Sequence, residues 1–348
     1  MIFLNIIVLL SAYWLYFFRE NYICELLISF LPYFWAFFFC FFIWWLIIFW
    51  KRIFSHGDMS KLYLSAFFLI FFWIVSFLFI HELNSFYHRD YLNKEELDGW
   101  LKVMYSNIFK WNYDFEWIEG KILQEDPDVV MFVEYSDEHE EWLKDFVSEN
   151  FQYWDKTNWS RIYWWSVVYS KYPITNFYKD FQQDWTWRYG YFKVEKEWIP
   201  YYFYLVHTSS PVSLGDYTKR NQQLITLKKD FFQLHESERA GDSKIIMVWD
   251  FNVSPWSVFY KRFASAFESK MRNITRASNI LFTRNLSEML SIHKDFHFPV
   301  WFKNNVKKIP ILRSHIDQLF ASSSVKVWNF KKIHLNWSDH DGFVFEIE

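Results

Sequence analysis

The sequence predicts an α/β (α+β) domain behind a set of N-terminal transmembrane helices, and three observations carry that expectation. Residues 1–18, 26–50 and 62–80 contain no charged side chain. From about residue 101 the composition changes, and apolar runs of strand length alternate with stretches at helical spacing. Four of those runs hold or lead into acidic side chains in a fixed order. They are Phe-Val-Glu-Tyr around Glu134, Trp-Asp-Phe-Asn from Trp249 to Asn252, His-Ile-Asp from His315 to Asp317, and Ser-Asp-His from Ser338 to His340.

A helix needs roughly 20 apolar residues to cross the hydrocarbon core of a bilayer, so all three uncharged stretches are long enough, the first with the least margin. The first lacks a basic start and a small-residue cleavage site, which argues against a cleaved signal peptide. An interfacial first helix with two spans is the alternative to three spans. Lys51, Arg52 and Lys61 lie between the second and third stretches, with only Asp58 against them; Arg19, Glu20 and Glu25 lie between the first two. The positive-inside rule then puts residues 51–61 in the cytoplasm. Three spans carry everything after about Glu82 to the extracytoplasmic side of the cell membrane. The only cysteines, Cys24 and Cys40, fall in or beside the spans, so the outer part has no disulfide to form. That usage fits an exported bacterial domain.

Residues 84–100 read as a polar linker, and 101–348 as one domain of ordinary size. Strand-like runs cover 102–108, 128–133, 162–169, 201–207, 244–249, 316–321 and 343–347. Helical spacing covers 114–124 and 216–232, the latter with Leu224, Leu227 and Phe231 on one face. The alternation predicts packed sheets with helices outside. Residues 1–83 hold four basic and four acidic side chains, leaving 33 basic and 36 acidic in the remainder. Such a balance shows no general footprint for nucleic acid, although a local basic lip remains compatible with it.

The acidic islands carry the chemistry. Several carboxylates suit a hard divalent cation, and an oriented imidazole suits proton transfer near neutral pH. Glu134 ends the apolar run 129–133, where a carboxylate is either capped by backbone donors or bound to a cation. Asp250 and Asn252 are two apart, so on an extended segment they share a face; a simple Asx-turn before Pro255 is the other reading. An Asp that accepts from one ring nitrogen of a His fixes its tautomer and raises the basicity of the other, and Asp317 with His340 are the candidates. Ser338, Asp339 and His340 are consecutive and cannot form a serine-hydrolase triad. His293 and His297 are four apart without an acidic zinc signature, residues 137–141 read as a solvated first helical turn, and His315 is expected to point away from the site.

Taken with Tyr-Ser-Asn at 105–107, Asp-Pro-Asp-Val-Val-Met-Phe-Val-Glu at 126–134, Val-Val-Tyr-Ser-Lys-Tyr-Pro-Ile at 167–174 and Leu-Val-His-Thr at 205–208, these islands resemble the endonuclease/exonuclease/phosphatase superfamily of metal-dependent phosphoesterases, from about residue 101 to the end. The resemblance implies a four-layer, two-sheet sandwich flanked by helices. It implies Mg²⁺ or Mn²⁺ held by Glu134, with Asn107 and Asp339 close by, and a phosphate held by His207 and Asn252. Asp250 would orient or deprotonate water, and His340 backed by Asp317 would stabilise or protonate the reacting oxygens. The expected partners are the lipid bilayer and a phosphate ester, whether nucleic acid, lipid head group or small molecule; nothing points to a protein partner.

One departure sets up an alternative. The chain has 7 Gly and 22 Trp, and Trp249, Trp337 and Trp164–Trp165 stand where the family usually has glycine, the residue of positive φ and close backbone approach. Indoles there are expected to crowd the metal pocket, which would make the chain a catalytically impaired, membrane-tethered metal- and phosphate-binding module.

Overall fold

The structure is a computed structural model, and it describes residues 14, 17–56, 70, 72–74, 76–78, 80–81, 101–155, 166–176, 189–235, 243–277, 283–285, 299 and 313–348. The predicted span 1–18 lies almost wholly outside these residues. So do much of span 62–80, the linker 84–100, Trp164, Trp165, His293 and His297. The chain divides into two compact units, Met1–His88 with Pro255–Val258, and Arg89–Ser254 with Phe259–Glu348.

In the first unit, α1 (Tyr22–Ile28) is capped by Asn21, whose side chain accepts from the Ile23 amide, and α2 runs Leu31–His56. Among the described residues no single helix is long and apolar enough to cross a membrane. Tyr22–Ile28 and Leu31–Trp44, bent by 75° at their break, meet the demand of length and composition together.

The second unit contains β1 (Leu101–Asn107), α3 (Phe115–Glu125), β2 (Val129–Val133), α4 (Asp137–Asn150), β3 (Tyr153–Asp155), β4 (Ser166–Ser170), β5 (Ile174–Asn176), β6 (Tyr189–Lys196) and β7 (Ile199–His207). It continues with α5 (Leu214–Leu234), β8 (Lys244–Asp250), α6 (Val258–Phe267), β9 (Met271–Asn273), α7 (Ile274–Ala277), β10 (Arg284–Asn285), β11 (Arg313–Ser314), β12 (Asp317–Ser322), β13 (Val327–His334) and β14 (Asp341–Ile347). Two mixed six-stranded sheets result, in the orders β13-β14-β1-β2-β4-β3 and β5-β6-β7-β8-β12-β9. Each has one parallel pair at its centre, β1 with β2 and β7 with β8, and antiparallel partners outside.

Side-chain alternation along the strands builds three cores and hence four layers. Leu101, Val103, Tyr105, Val129 and Met131 from one sheet meet Phe203, Leu205, Ile246, Val248 and Leu319 from the other. The opposite side chains of the first sheet, among them Met104, Val130 and Phe132, pack on Ile118 and Ile122 of α3 and on Leu143 and Val147 of α4. Those of the second sheet, among them Tyr204, Met247 and Trp249, pack on Leu224, Leu227 and Phe231 of α5 and on Phe263 and Phe267 of α6. Strands buried on both faces read as unbroken apolar runs, which is why 129–133 and 244–249 are plain in the sequence. The two mixed sheets with flanking helices fit the expected α/β sandwich.

The acidic turn at 137–141 opens α4 as expected. Ser136 caps it by accepting from the His139 amide, and His139 Nδ1 in turn accepts from the Ser136 amide. Burial then pushes the His139 imidazole down to about 4.

Candidate active site

The parallel pairs end at the same edge of the sandwich, and the antiparallel β12 and β14 begin there. Asn107 ends β1, Glu134 follows β2, His207 ends β7 and Asp250 ends β8. Asp317 starts β12, while Asp339 and His340 precede β14. All eight candidate residues, Asn252 included, therefore come from strand ends or the turns next to them.

Asp250 Oδ2 is the hub. It accepts from Asn107 Nδ2 at 3.0 Å and lies 3.8 Å from His207 Nε2 and 3.7 Å from His340 Nε2. Asn107 Nδ2 also donates to Glu134 Oε1 at 3.2 Å, and that oxygen is 3.7 Å from His207 Nε2. The Lys110 amide donates to Glu134 Oε2. One Glu134 oxygen thus has the backbone donor that its sequence position allowed, and the other faces Asn107 and His207. Its backbone is left-handed, at φ 57°, a conformation that costs a non-glycine residue of order 1 kcal/mol and that clusters at functional sites.

Asp317 and His340 pair as expected, Nδ1 to Oδ2 at 2.9 Å. Tyr105 donates its hydroxyl to Asp317 Oδ1, and the Ile316 and Asp317 amides both donate to Thr283 Oγ1. The Ser338 hydroxyl donates to the Asn107 carbonyl and accepts from the His340 amide, which ties the turn to β1. Burial opposes charge on His340, but Asp317, Asp250 and Asp339 outweigh it and push the imidazole up to about 10. Burial, with the charge of Asp317, pushes the Asp250 carboxyl up to about 7, against the pull of His340 and Arg284.

Asn252 departs from the expected geometry. β8 stops at Asp250 and Asn252 is left-handed at φ 47°, so the two do not share the face of one extended strand. Instead the Asn252 amide donates to Asp250 Oδ1 in an Asx-type contact, and Asn252 Nδ2 donates to the Thr208 carbonyl. His315 is fully buried, and burial holds it neutral, down to about 4.

The tryptophans do not act as expected. Trp249 neighbours Asp250, so alternation sends its indole to the opposite face, where it is buried against Phe251, Phe263 and Phe320. It leaves the site uncrowded. Trp337 keeps φ 62°, the left-handed backbone a glycine would favour, with its side chain half exposed.

Two positions were not foreseen. Arg220 of α5 is buried and donates to the Asn252 carbonyl at 3.0 Å. Arg284 of β10 donates from Nε to Asp339 Oδ2 at 3.2 Å and from Nη1 to Asn252 Oδ1 at 3.4 Å. A lone arginine on a two-residue strand has no periodicity to mark it.

A divalent cation fits this donor set. Glu134, His207 and Asp250 offer ligand atoms within 4.8 Å of one another, as do Asp250, Asp317 and His340. Among the described residues Asp339 Oδ1 is a buried carboxylate oxygen with no hydrogen-bond partner. The structure groups Glu134 more tightly with Asp250 and His207 than with Asp339, which contacts His340 and Arg284 instead.

Clustered carboxylates, two imidazoles and an amide at one edge of a two-sheet sandwich suit metal-assisted hydrolysis, and the family match makes the bond a phosphate ester. Residues 104–340 match the sequence profile of the Endonuclease/Exonuclease/phosphatase family, and the chain belongs to that family. Among solved structures the fold is similar to truncated Caenorhabditis elegans TDP2, at 13% identity and TM-score 0.52, over 71% of this chain and 97% of that one. It is also similar to Danio rerio TDP2 complexed with single-strand DNA product, at 13% identity and TM-score 0.49, over 72% and 100% of the two chains. A mannosyl-6-phosphatase of Bacteroides thetaiotaomicron matches at 16% identity and TM-score 0.47, over 71% and 99%. No curated protein matches the chain by sequence.

Proposed function

We propose that this chain is a membrane-anchored, Mg²⁺- or Mn²⁺-dependent phosphoesterase that hydrolyses its substrate by in-line attack of water, with no covalent intermediate. The observation that carries the reading is the convergence on Asp250 Oδ2 of Asn107, His207 and His340, each within 4 Å. Asp250 orients the attacking water and takes its proton as the new P–O bond forms. Its carboxyl, pushed up to about 7, suits a base that works near neutral pH. His340, kept cationic by Asp317, neutralises or protonates the departing oxygen as the ester bond breaks. His207 binds a phosphoryl oxygen. Asn252 reaches the phosphate from its turn, and Asn107 holds Glu134 and Asp250 in register. A divalent cation held by Glu134, with Asn107 and Asp250 beside it, would supply polarisation of the phosphoryl oxygen when bound.

The uncharged stretches of residues 1–83 support a membrane anchor, and the basic residues at 51–61 support an extracytoplasmic position for the domain.

The test is hydrolysis of a chromogenic phosphodiester by the full chain in detergent micelles, with Mg²⁺ or Mn²⁺ and with chelator. Turnover is expected only with metal, and Asp250→Asn is expected to lower it by about 10³-fold. Retained activity in Asp250→Asn would remove that residue from the mechanism.

A further inference from the structure

Arg284 has no task in the reaction as described, yet its segment is fixed to the catalytic turn. The Asn285 amide donates to the Asp339 carbonyl at 2.7 Å, the Asp341 amide donates to the Thr283 carbonyl at 2.6 Å, and Arg284 itself bridges His340. The same short segment supplies Thr283 to Asp317. The arginine therefore sits on a segment tied by backbone hydrogen bonds to the turn that carries His340 and by Thr283 to Asp317. Its side chain is 20% exposed and its guanidinium spans from Asp339 to Asn252. Both of those residues border the Asp250–His340 pair. Asn252 donates its amide to Asp250, and Asp339 Oδ2 is 3.9 Å from His340 Nε2.

A purely structural ion pair would need only a point charge beside Asp339. Here the group is a planar fork, held through Nε on Asp339 and Nη1 on Asn252, and a fork of this shape can pair with two oxygens of one phosphoryl group. It is also placed between a proposed phosphate ligand and the catalytic turn. Resting on the phosphoesterase reading, we propose that Arg284 is a phosphate-binding residue that gives the site a cationic hold on the phosphoryl group independent of the divalent metal. A phosphomonoester dianion carries more charge than a diester, so the hold favours a terminal phosphate.

The experiment measures binding of inorganic phosphate to the full chain in detergent micelles with chelator present, for wild type, Arg284→Ala and Arg284→Lys. Phosphate affinity is expected to fall by about tenfold or more in Arg284→Ala, the size of a lost charge-assisted hydrogen bond. Arg284→Lys is expected to keep the wild-type melting temperature, because a charge still faces Asp339, while recovering only part of the phosphate affinity. With metal restored, kcat/KM for 4-nitrophenyl phosphate should fall further than for the bis-ester. Unchanged phosphate affinity in a folded Arg284→Ala chain overturns the proposal, as does a wild-type chain that binds no phosphate in chelator. Full recovery of phosphate affinity by lysine also overturns it, since a point charge would then suffice. The two readings fail separately. Arginine-dependent phosphate binding without any metal-dependent turnover would sink the esterase and keep the anion site, and metal-dependent turnover with arginine-independent phosphate binding would do the reverse.

Discussion

Asp250 accepts from the Asn107 side chain and the Asn252 amide, yet it is almost fully buried and shares its surroundings with Asp317. Burial and that like charge leave the folded metal-free chain holding a proton on Asp250 up to about pH 7, from an ordinary value near 3.8. The folded state then binds more protons than the unfolded state across that interval, so stability falls as pH rises through it. Asp250→Asn removes the titration. In chelator, the wild-type melting temperature should fall steadily relative to that of Asp250→Asn as pH rises from about 4 to about 7. Parallel melting curves for the two chains across that interval would show that Asp250 is not perturbed. The sequence singled out Asp250 by its place at the end of an apolar run two residues before Asn252, and by its resemblance to the family, with an Asx-turn as the other reading. It did not show the protonation state, which depends on Asp317 and His340, more than 60 positions away.

Strands carried most of what was legible. Central strands covered on both faces are continuous apolar runs, so β2, β7, β8 and β14 fall within a few residues of their predicted places. β6 (Tyr189–Lys196), β13 (Val327–His334) and α6 (Val258–Phe267) were missed. The first two interleave charges that are half-buried, Lys193 and Glu195, or exposed, Lys331 and Lys332, with their buried side chains and lie nearer a sheet edge. Strand alternation also corrects the expectation for Trp249, since a side chain next to an inward-facing Asp250 must face out toward the helices. Glycine there should not open the site. Trp249→Gly should leave a cavity among Phe251, Phe263 and Phe320 and cost about 3–5 kcal/mol by chemical denaturation, with no gain in turnover. A rise in activity would place the indole in the pocket after all.

At the scale of the whole chain, residues 101–348 were readable as a family and a fold because the candidate site residues sit at strand ends in a fixed order. The arginine was not, because its two-residue strand acquires meaning only once it is paired to the catalytic turn. The proposed anchor makes a separate prediction. Three spans with residues 51–61 in the cytoplasm leave the domain outside, so protease added to intact cells should digest 101–348 while sparing a cytoplasmic marker. Protection until the membrane is permeabilised would reverse the orientation. Scarcity of glycine also has a consequence that reaches beyond any one contact. Glu134, Asn252 and Trp337 keep left-handed backbone at φ 57°, 47° and 62° in a chain with 7 glycines. Glycine at any of them would relieve strain of order 1 kcal/mol while stripping a side chain from the site or its rim. Variants selected for heat resistance alone would be drawn to those three codons, and their robustness would come at the expense of chemistry.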